Sequence, residues 1–296
     1  MAVLEKEFVM LTSKVTSSSV SSDGETVKLL VQLQDGLSVE AVIMTYAGNS
    51  SSDDTHPKSR ATVCVSSEVG CQMGCTFCAT GTMGLIAELT SGEIVEQLVH
   101  ARAVKAVRNV VFMGMGEPLN NYNSVADAIR VMIHPQVFAL KQRSITVSTV
   151  GVIHRLPALA RDLPGVSLAL SLHAPNQQLR RLIVPSAQAF KLDKLMSAVD
   201  AYTSTTGNRV FIEYVPVQPT TLSTSHPLFG SCLTCGTGTC CWAPTSTAST
   251  CTRTSWGSCC MVVPSASILS RGILFSALGS TSGRRPQAPR ARSRAS

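Results

Sequence analysis

The sequence predicts an α/β protein, a partial (β/α) barrel with an N-terminal β-hairpin and an irregular C-terminal tail. Two observations predict this fold. Short apolar segments rich in β-branched residues alternate with helical segments between residues 61 and 215. This alternation stops abruptly near residue 215, where the composition changes. Buried strands separated by helices imply parallel βαβ units with right-handed connections.

The chain begins with elements of a different kind. Residues 1–26 are predicted to be an irregular segment, and residues 27–60 to form a β-hairpin and a polar loop. In the hairpin, the β-rich runs Val27–Gln34 and Val39–Tyr46 are joined across Asp35-Gly36, which is a strong turn signal. We therefore expect two antiparallel strands before the barrel.

The barrel is expected to span residues 61–215. Its predicted strands are Ala61–Ser66, Asn109–Met113, Ser144–Ser148, Val166–Leu172 and Arg209–Val215. Its predicted helices are Gly92–Lys105, Ser124–Ile133, Val152–Asp162 and Leu192–Tyr202. Thr90-Ser91 supplies a capping signal for the first of these helices. In such barrels the chemistry lies at the C-terminal ends of the strands.

Composition sets limits on partners and location. The net charge is +7, but residues 1–213 carry 18 Lys+Arg and 18 Asp+Glu, so the excess lies on arginines after Glu213. The barrel therefore has no bulk basic field to attract nucleic acid. The sequence has no signal peptide and no long apolar run, so we expect no membrane association and a cytoplasmic protein with reduced or metal-bound thiols. An organelle (chloroplast or mitochondrion) is the alternative.

The C-terminal segment, residues 216–296, differs from the rest of the chain. From Tyr214 onward there is no Asp, Glu or Lys, while seven cysteines occur. No helical or strand period persists, which is typical of disorder or of an altered reading frame. We expect this tail to be non-native or disordered. A zinc site is the alternative, with ligands at Cys232, Cys235, Cys240 and Cys241.

Three cysteines carry the clearest chemical signal. Cys71, Cys75 and Cys78 follow a C-x3-C-x2-C spacing, with the aromatic Phe77 before the last of them. A [4Fe–4S] cluster normally takes four thiolates, so three would leave one iron open to another ligand. Two alternatives are a structural zinc site, which lacks a fourth ligand at finger-like spacing, and a redox Cys75/Cys78 pair, which leaves Cys71 without a role.

Further motifs stand in order around these cysteines. They are ATVCVSSEVGC (61–71), GMGEPLNNYN (114–123), ITVSTVGV (145–152) and SLHAPN (171–176). Together they resemble the RlmN/Cfr family of radical S-adenosylmethionine (SAM) RNA methyltransferases, which methylate adenine in ribosomal RNA and, for RlmN, transfer RNA. The resemblance covers roughly residues 27–215. Two segments, 92–100 and 109–123, look most like plant or algal members.

The resemblance implies a cofactor site. Cys71, Cys75 and Cys78 would ligate a [4Fe–4S] cluster, whose open iron would chelate SAM. Gly116 and Glu117 would bind the SAM amino group. The remaining contacts to SAM would come from Ser148, Ser171, Leu172 and His173. Alternatives are a plain strand-to-helix turn at Gly116-Glu117 and a structural role for His173.

The resemblance also implies two catalytic residues. In the family mechanism a methylated C-terminal cysteine delivers a carbon radical to C2 of adenine, and a cysteine outside the cluster resolves the resulting adduct. Cys64 matches that resolving cysteine, and Glu40 resembles the proposed proton acceptor. The alternatives are a buried strand cysteine that packs as a small hydrophobe and a surface glutamate on a hairpin.

Three departures from the family affect the expected activity. The Ala-Cys-Gly-Gln-Leu motif of the methyl-carrying cysteine and the Asn-Leu-Ile-Pro segment do not occur, and no N-terminal helical RNA-binding domain precedes residue 27. We therefore expect a chain that is truncated at both ends or read from a wrongly joined gene sequence. The expected function is an RNA (adenine-C2) methyltransferase, monomeric, using rRNA or tRNA and an electron donor such as flavodoxin or ferredoxin. The alternatives are a radical SAM protein with another substrate and an inactive pseudoenzyme.

Overall fold

The computed structural model describes residues 11–46 and 60–214, and three short strands beyond them. The N-terminal strands are β1 (Lys14–Val20), β2 (Thr26–Gln32) and β3 (Ser38–Tyr46). The following strands are β4 (Arg60–Cys64), β5 (Glu68–Cys71), β6 (Gly84–Glu88), β7 (Val107–Phe112), β8 (Ile145–Thr149), β9 (Ser167–Ser171) and β10 (Val210–Tyr214). The late strands are β11 (Cys251–Arg253), β12 (Cys259–Val262) and β13 (Leu274–Ala277).

Five α-helices lie between the strands of the described region. They are α1 (Ser91–Val104), α2 (Tyr122–Ile133), α3 (Leu156–Asp162), α4 (Gln177–Ile183) and α5 (Leu192–Thr206). The first begins with a capping box, in which the Thr90 side chain accepts from the Glu93 N–H while the Glu93 carboxylate accepts from the Thr90 N–H. None of the helices among the described residues has the length and apolar character needed to cross a membrane.

One mixed sheet organises the molecule, in the order β1-β2-β3-β4-β7-β8-β9-β10-β13-β12-β11. The first four strands pair antiparallel. From β4 to β10 each neighbour is parallel, as the βαβ pattern predicts. Strands β5 and β6 form a separate antiparallel hairpin. The parallel section therefore brings the C-terminal ends of five strands to one edge.

One face of the sheet is apolar, whereas the opposite face mixes polar residues with apolar ones. On one face lie apolar residues that share a hydrophobic core with helix side chains such as Ile94, Ile129 and Leu195. These strand residues are Val63, Val110, Phe112, Ile145, Val147, Leu168, Leu170, Val210 and Ile212. Residues on a strand alternate between faces and aligned residues share one. The register therefore places a second set together on the opposite face, which we call the inner face: Glu40, Cys64, Ser148, Ser171 and Glu213.

Buried polar side chains hold the ends of the strands in place. Gln97 of α1 accepts the Ser66 N–H at 2.8 Å and donates to the Ser66 carbonyl at 3.0 Å, so it satisfies both backbone groups beyond β4. Arg180 of α4 donates to the carbonyl oxygens of Leu172 and Val150 at 3.1 and 2.6 Å. It thereby joins the segments that follow β8 and β9.

The predicted hairpin and the five predicted barrel strands are confirmed, with boundaries shifted by a few residues. Within residues 1–26, predicted to be irregular, the structure instead forms β1. All seven of its residues are exposed, so no burial pattern could reveal it. The predicted helix Val152–Asp162 is wrong at its start, since a 3-10 turn occupies Ile153–Arg155 before α3. Pro157 fits the first turn of the shorter helix.

Two further elements were not predicted: the β5–β6 hairpin and α4. In residues 216–296, where we expected an irregular tail, the structure forms the three short strands β11, β12 and β13, with β13 parallel to β10. The alternative zinc ligands Cys232, Cys235, Cys240 and Cys241 lie outside the described residues.

Candidate active site

The three predicted cluster cysteines lie on one loop. Cys71 ends β5, and the chain passes through Cys75 and Cys78 before β6 returns beside β5. Cys71 and Cys75 are buried and Cys78 is partly exposed. The loop is anchored to α4, because the Thr76 N–H donates to the Ile183 carbonyl at 2.9 Å. The spacing therefore produces a compact turn held against the end of the sheet.

The thiols of this loop influence one another. Burial, together with a smaller contribution from neighbouring negative charges that include the other cluster cysteines, raises the pKa of Cys71 and of Cys75 to about 11. Both are therefore protonated at neutral pH without a metal. In the described part of the chain no three His, Cys, Asp or Glu side chains converge in a metal-binding arrangement. Iron would compensate the charge of ionised thiolates, which is the force that draws such ligands together.

Glu117 follows β7 and is almost completely buried, with 2% of its surface exposed. Its Oε1 accepts the Leu119 N–H at 3.0 Å and its Oε2 accepts the Val150 N–H at 2.9 Å. Burial raises the pKa of Glu117 to about 7, although these hydrogen bonds oppose the shift. The carboxylate predicted to bind the SAM amino group therefore also joins the loops after β7 and β8.

A second buried acid stands behind Glu117. Glu68 at the start of β5 accepts the Glu117 N–H at 3.0 Å through its Oε2, and burial raises the pKa of Glu68. The adjacent Gly116 has a positive φ of 102°, and a Cβ there would lie 2.6 Å from the Cβ of Glu68. Glycine is required at this close approach. The predicted Gly116-Glu117 pair thus forms a tight backbone turn.

The predicted SAM contacts Ser148 and Ser171 are brought together by Glu213. The two hydroxyl oxygens lie 3.3 Å apart, and each donates to Glu213 Oε2, at 2.9 and 2.8 Å respectively. The Glu213 carbonyl oxygen accepts the backbone N–H groups of Leu172 and His173. The four predicted contacts therefore gather around one acidic residue that was not predicted.

His173 connects this group to the cysteine loop. Its ring is 4.6 Å from that of Phe77 in an edge-to-face arrangement. Its backbone has a φ of 59°, a left-handed conformation that is uncommon outside glycine. Burial lowers the pKa of His173 to about 4, with a further contribution from Arg180, so the imidazole is neutral at pH 7. The structure thus brings the cysteine loop into contact with the last of the quoted motifs, residues 171–176.

The two predicted catalytic residues lie on the inner face, but one is largely buried and the other is exposed to solvent. Cys64 ends β4, and burial raises its thiol pKa to about 11, with the negative charge of Glu213 adding to the shift. Glu40 on β3 is exposed, and its Oε1 forms an ion pair with Lys28 Nζ at 2.9 Å. That contact is the one expected for a surface glutamate on a hairpin.

Sequence reasoning missed three charged residues of the site: Glu68, Arg180 and Glu213. A weak signal existed for each, because each is a charged residue beside or within an apolar segment. Glu213 interrupts the strand segment Val210–Tyr214, where an outward-facing acid would look the same in sequence. Only the pairing of distant strands shows that it faces other polar groups.

The residues present fit an iron–sulfur cluster with a polar organic cofactor. The donor set is three thiols within eight residues. Around it lie buried polar atoms for which the described residues supply no hydrogen-bond partner: Glu68 Oε1, His173 Nδ1 and Arg180 Nη1. Unpaired buried polar atoms are costly, and a bound ligand with both donors and acceptors would satisfy them.

The chain is similar to known proteins over the residues that form this site. The family model of the Radical SAM superfamily matches residues 65–216. The chain is 41% identical over 215 residues to "Ribosomal RNA large subunit methyltransferase N" of Nitrosopumilus maritimus, covering 71% of this chain and 60% of that protein. It is 43% identical over 201 residues to "Dual-specificity RNA methyltransferase RlmN 1" of Myxococcus xanthus, covering 66% and 53%. The chain thus spans less than two thirds of the length of these relatives.

A solved structure shows the same fold. It is the crystal structure of a radical SAM methyltransferase from Sphaerobacter thermophilus, with a TM-score of 0.65 and 40% identity, covering 72% of this chain and 61% of that chain. Membership of the superfamily implies a [4Fe–4S] cluster and SAM. The range matched by the superfamily model, residues 65–216, contains the three cysteines, Glu117, the serine pair and Glu213. The chain therefore belongs to the radical SAM superfamily, where its relatives are RlmN methyltransferases.

Proposed function

We propose that this chain acts in the radical SAM-dependent methylation of adenine C2 in ribosomal or transfer RNA. The observation that carries the proposal is the meeting of the cysteine loop with the segment Ser171–His173, through the contact between Phe77 and His173. Its relatives are RNA methyltransferases by name. When bound, a [4Fe–4S] cluster would supply an electron and SAM the radical chemistry, while the protein supplies binding and orientation.

Each residue group then has a distinct task. Cys71, Cys75 and Cys78 would hold the cluster. Glu117 offers a negative carboxylate for an ammonium group and at the same time fixes the loop that carries Val150. Neutral His173 would place an aromatic ring and an unprotonated nitrogen beside the cofactor without adding charge.

Cys64 would act from the inner face as the resolving thiol. With a pKa raised to about 11, its sulfur keeps its proton at neutral pH. It can therefore serve as a proton-carrying group as it stands, and becomes a nucleophile only when a base removes that proton. Glu40 is the proposed base, and it would have to exchange its ion pair with Lys28 for that role.

The cluster assignment is tested by metal content. Anaerobically reconstituted protein should hold about four iron and four sulfide per chain. Alanine at Cys71, Cys75 or Cys78 should abolish this, and Cys64→Ala is the matched control that should retain it. Equal loss of iron in Cys64→Ala would refute the separation of cluster ligands from the resolving cysteine.

The substrate assignment is tested by nucleoside mass spectrometry. RNA is incubated with SAM, a reductant and the protein, both as the 296-residue chain and with a family-type Ala-Cys-Gly-Gln-Leu segment appended. Formation of 2-methyladenosine by either form supports the proposal. Release of 5′-deoxyadenosine without any methylated adenosine would favour a radical SAM protein with another substrate, and neither product would indicate a pseudoenzyme.

The proposal also includes an electron donor, an oligomeric state and a location. The electron donor, flavodoxin or ferredoxin, would have to approach the cluster loop, where Phe77 is exposed. A monomeric state, a plant or algal type and the cytoplasmic location stay predictions from the sequence.

A further inference from the structure

Glu213 connects several of the predicted cofactor contacts, although it was not itself predicted as a site residue. It lies near the end of β10, and its Oε2 accepts hydrogen bonds from Ser148 at 2.9 Å and Ser171 at 2.8 Å. Its backbone carbonyl accepts the N–H groups of Leu172 at 3.1 Å and His173 at 3.2 Å. One residue therefore fixes two side chains and the backbone turn of the motif that follows β9.

This arrangement decides which way the two hydroxyl groups can bond. A serine hydroxyl has one proton to donate and two lone pairs to accept with, whereas an ionised carboxylate only accepts. Because both protons point to Glu213, Ser148 and Ser171 have only acceptor capacity left for a third partner. A neighbouring negative charge adds to that preference, since it attracts hydrogen-bond donors and repels acceptors that carry negative charge.

The backbone contacts support the same role. His173 has a φ of 59°, which is unfavourable for a residue with a Cβ and needs stabilisation from its surroundings. The two N–H bonds to the Glu213 carbonyl provide this stabilisation. The strand β10 thus holds both the serine pair and the turn in a single conformation.

We propose that Glu213 is a positioning residue, which turns Ser148 and Ser171 into a pair of hydrogen-bond acceptors for a vicinal diol, the ribose of the bound nucleoside cofactor. Two acceptors 3.3 Å apart suit two adjacent O–H donors. The same pair, beside a carboxylate, would reject the carboxylate of SAM. The inference rests on the proposed function, because it requires that SAM binds at this site.

Binding to the cluster-loaded protein under anaerobic conditions tests this role. The probes are S-adenosylhomocysteine, which has no methyl group to transfer, and its 2′-deoxy and 3′-deoxy forms, with affinities measured by equilibrium dialysis. The unmodified protein should prefer the ribose form roughly tenfold, as expected for a lost hydrogen bond that leaves a polar group unpaired. Glu213→Leu should weaken binding of the ribose form by about tenfold and remove the preference.

Two further variants separate hydrogen bonding from charge and from folding. Glu213→Gln keeps one oxygen that can accept both hydroxyl protons, so it should retain the preference. Glu213→Asp keeps the charge but withdraws the carboxylate by one methylene, so it should lose the preference even if Glu213→Leu does not fold. Asp193→Asn on the exposed surface of α5 is the matched control and should bind all three probes like the unmodified protein.

The outcomes distinguish this inference from the proposed function. If the unmodified protein binds none of the probes, the SAM-binding proposal itself fails. If it binds the ribose form no better than the deoxy forms, the diol assignment is refuted. If Glu213→Asp and Glu213→Leu keep the preference, or Glu213→Gln loses it as fully as they do, Glu213 does not orient the serine pair.

Discussion

Replacing Glu117 by glutamine tests two properties of this buried carboxyl group. One is its hydrogen bonds to two loops, and the other is the raised pKa that results from its burial. The substitution keeps the size of the side chain and one acceptor oxygen. It also places an amide donor where one carboxylate oxygen now faces a backbone N–H, from Leu119 or from Val150. We therefore expect one lost hydrogen bond at every pH, which costs about 1–3 kcal/mol of unfolding free energy.

The pH dependence of stability gives a larger signal. The ordinary pKa of a glutamate is 4.5, and burial raises that of Glu117 to about 7 in the folded chain. Between these values the folded state binds more protons than the unfolded state. The unfolding free energy therefore falls as the pH rises from about 4.5 to about 7. The full shift corresponds to about 3 kcal/mol, since one pKa unit is worth about 1.4 kcal/mol.

His173 acts in the opposite direction over nearly the same range. Its pKa is lowered from 6.5 to about 4, so its contribution to the unfolding free energy rises with pH between those values. The net slope of the unmodified protein therefore conceals both effects. Because His173 is present in both proteins, the difference between the unmodified protein and Glu117→Gln isolates the contribution of Glu117.

The measurement is urea unfolding of the cluster-free chain at several pH values between 4.5 and 7.5. The thiols of Cys71 and Cys75 have pKa values of about 11 and do not titrate there. The destabilisation caused by Glu117→Gln should be largest at pH 4.5 and should shrink or change sign by pH 7.5. A destabilisation that is constant across this range would refute the raised pKa of Glu117 and the reasoning based on its burial.

Three other predictions concern single side chains, each measured by urea unfolding. Gly116→Ala should lower the unfolding free energy by at least about 2 kcal/mol, because its Cβ would lie 2.6 Å from that of Glu68. Gly24→Ala, also at positive φ but in open space, should lower it by about 1 kcal/mol. Equal losses in the two variants would contradict the close approach at Gly116. Thr90→Ala removes the capping box and should cost about 1 kcal/mol, so an unchanged midpoint would argue against that cap. His173→Gln should abolish the gain in stability that His173 contributes as the pH rises from about 4 to 6.5, and an unaltered slope there would show that its pKa is not lowered.

Much of the barrel could be predicted from the sequence because its strands are buried. The apolar residues of β4, β7, β8, β9 and β10 lie buried on the face of the sheet that packs against the helices. The hairpin was equally clear, since Asp35-Gly36 separates two alternating strands. Local chemistry and tertiary burial agree at these elements, and prediction succeeds where they agree.

Elements whose residues show no apolar or alternating pattern could not be predicted. Strand β1 is exposed along its whole length and exists through pairing with β2. The β5–β6 hairpin contains cysteines and glycines that in sequence indicate only a loop. In the candidate site, the cysteines were predicted from their spacing and the serines from the motif resemblance. Glu213 was missed because the proximity that defines it arises from three strands widely separated in the chain.

The opposite chemistry of the two sheet faces has a consequence for how this protein tolerates insertions and deletions. Residues of the inner face alternate along each strand with residues of the core, so Ser171 directly follows the buried Leu170. Removing one residue from the middle of β9 or β10 would exchange the faces beyond that point, exposing leucine or isoleucine and burying a hydroxyl or a carboxylate. A library of single-residue deletions should therefore show sharp intolerance within these five-residue strands. Deletions around Gly24, in the exposed turn between β1 and β2, should survive.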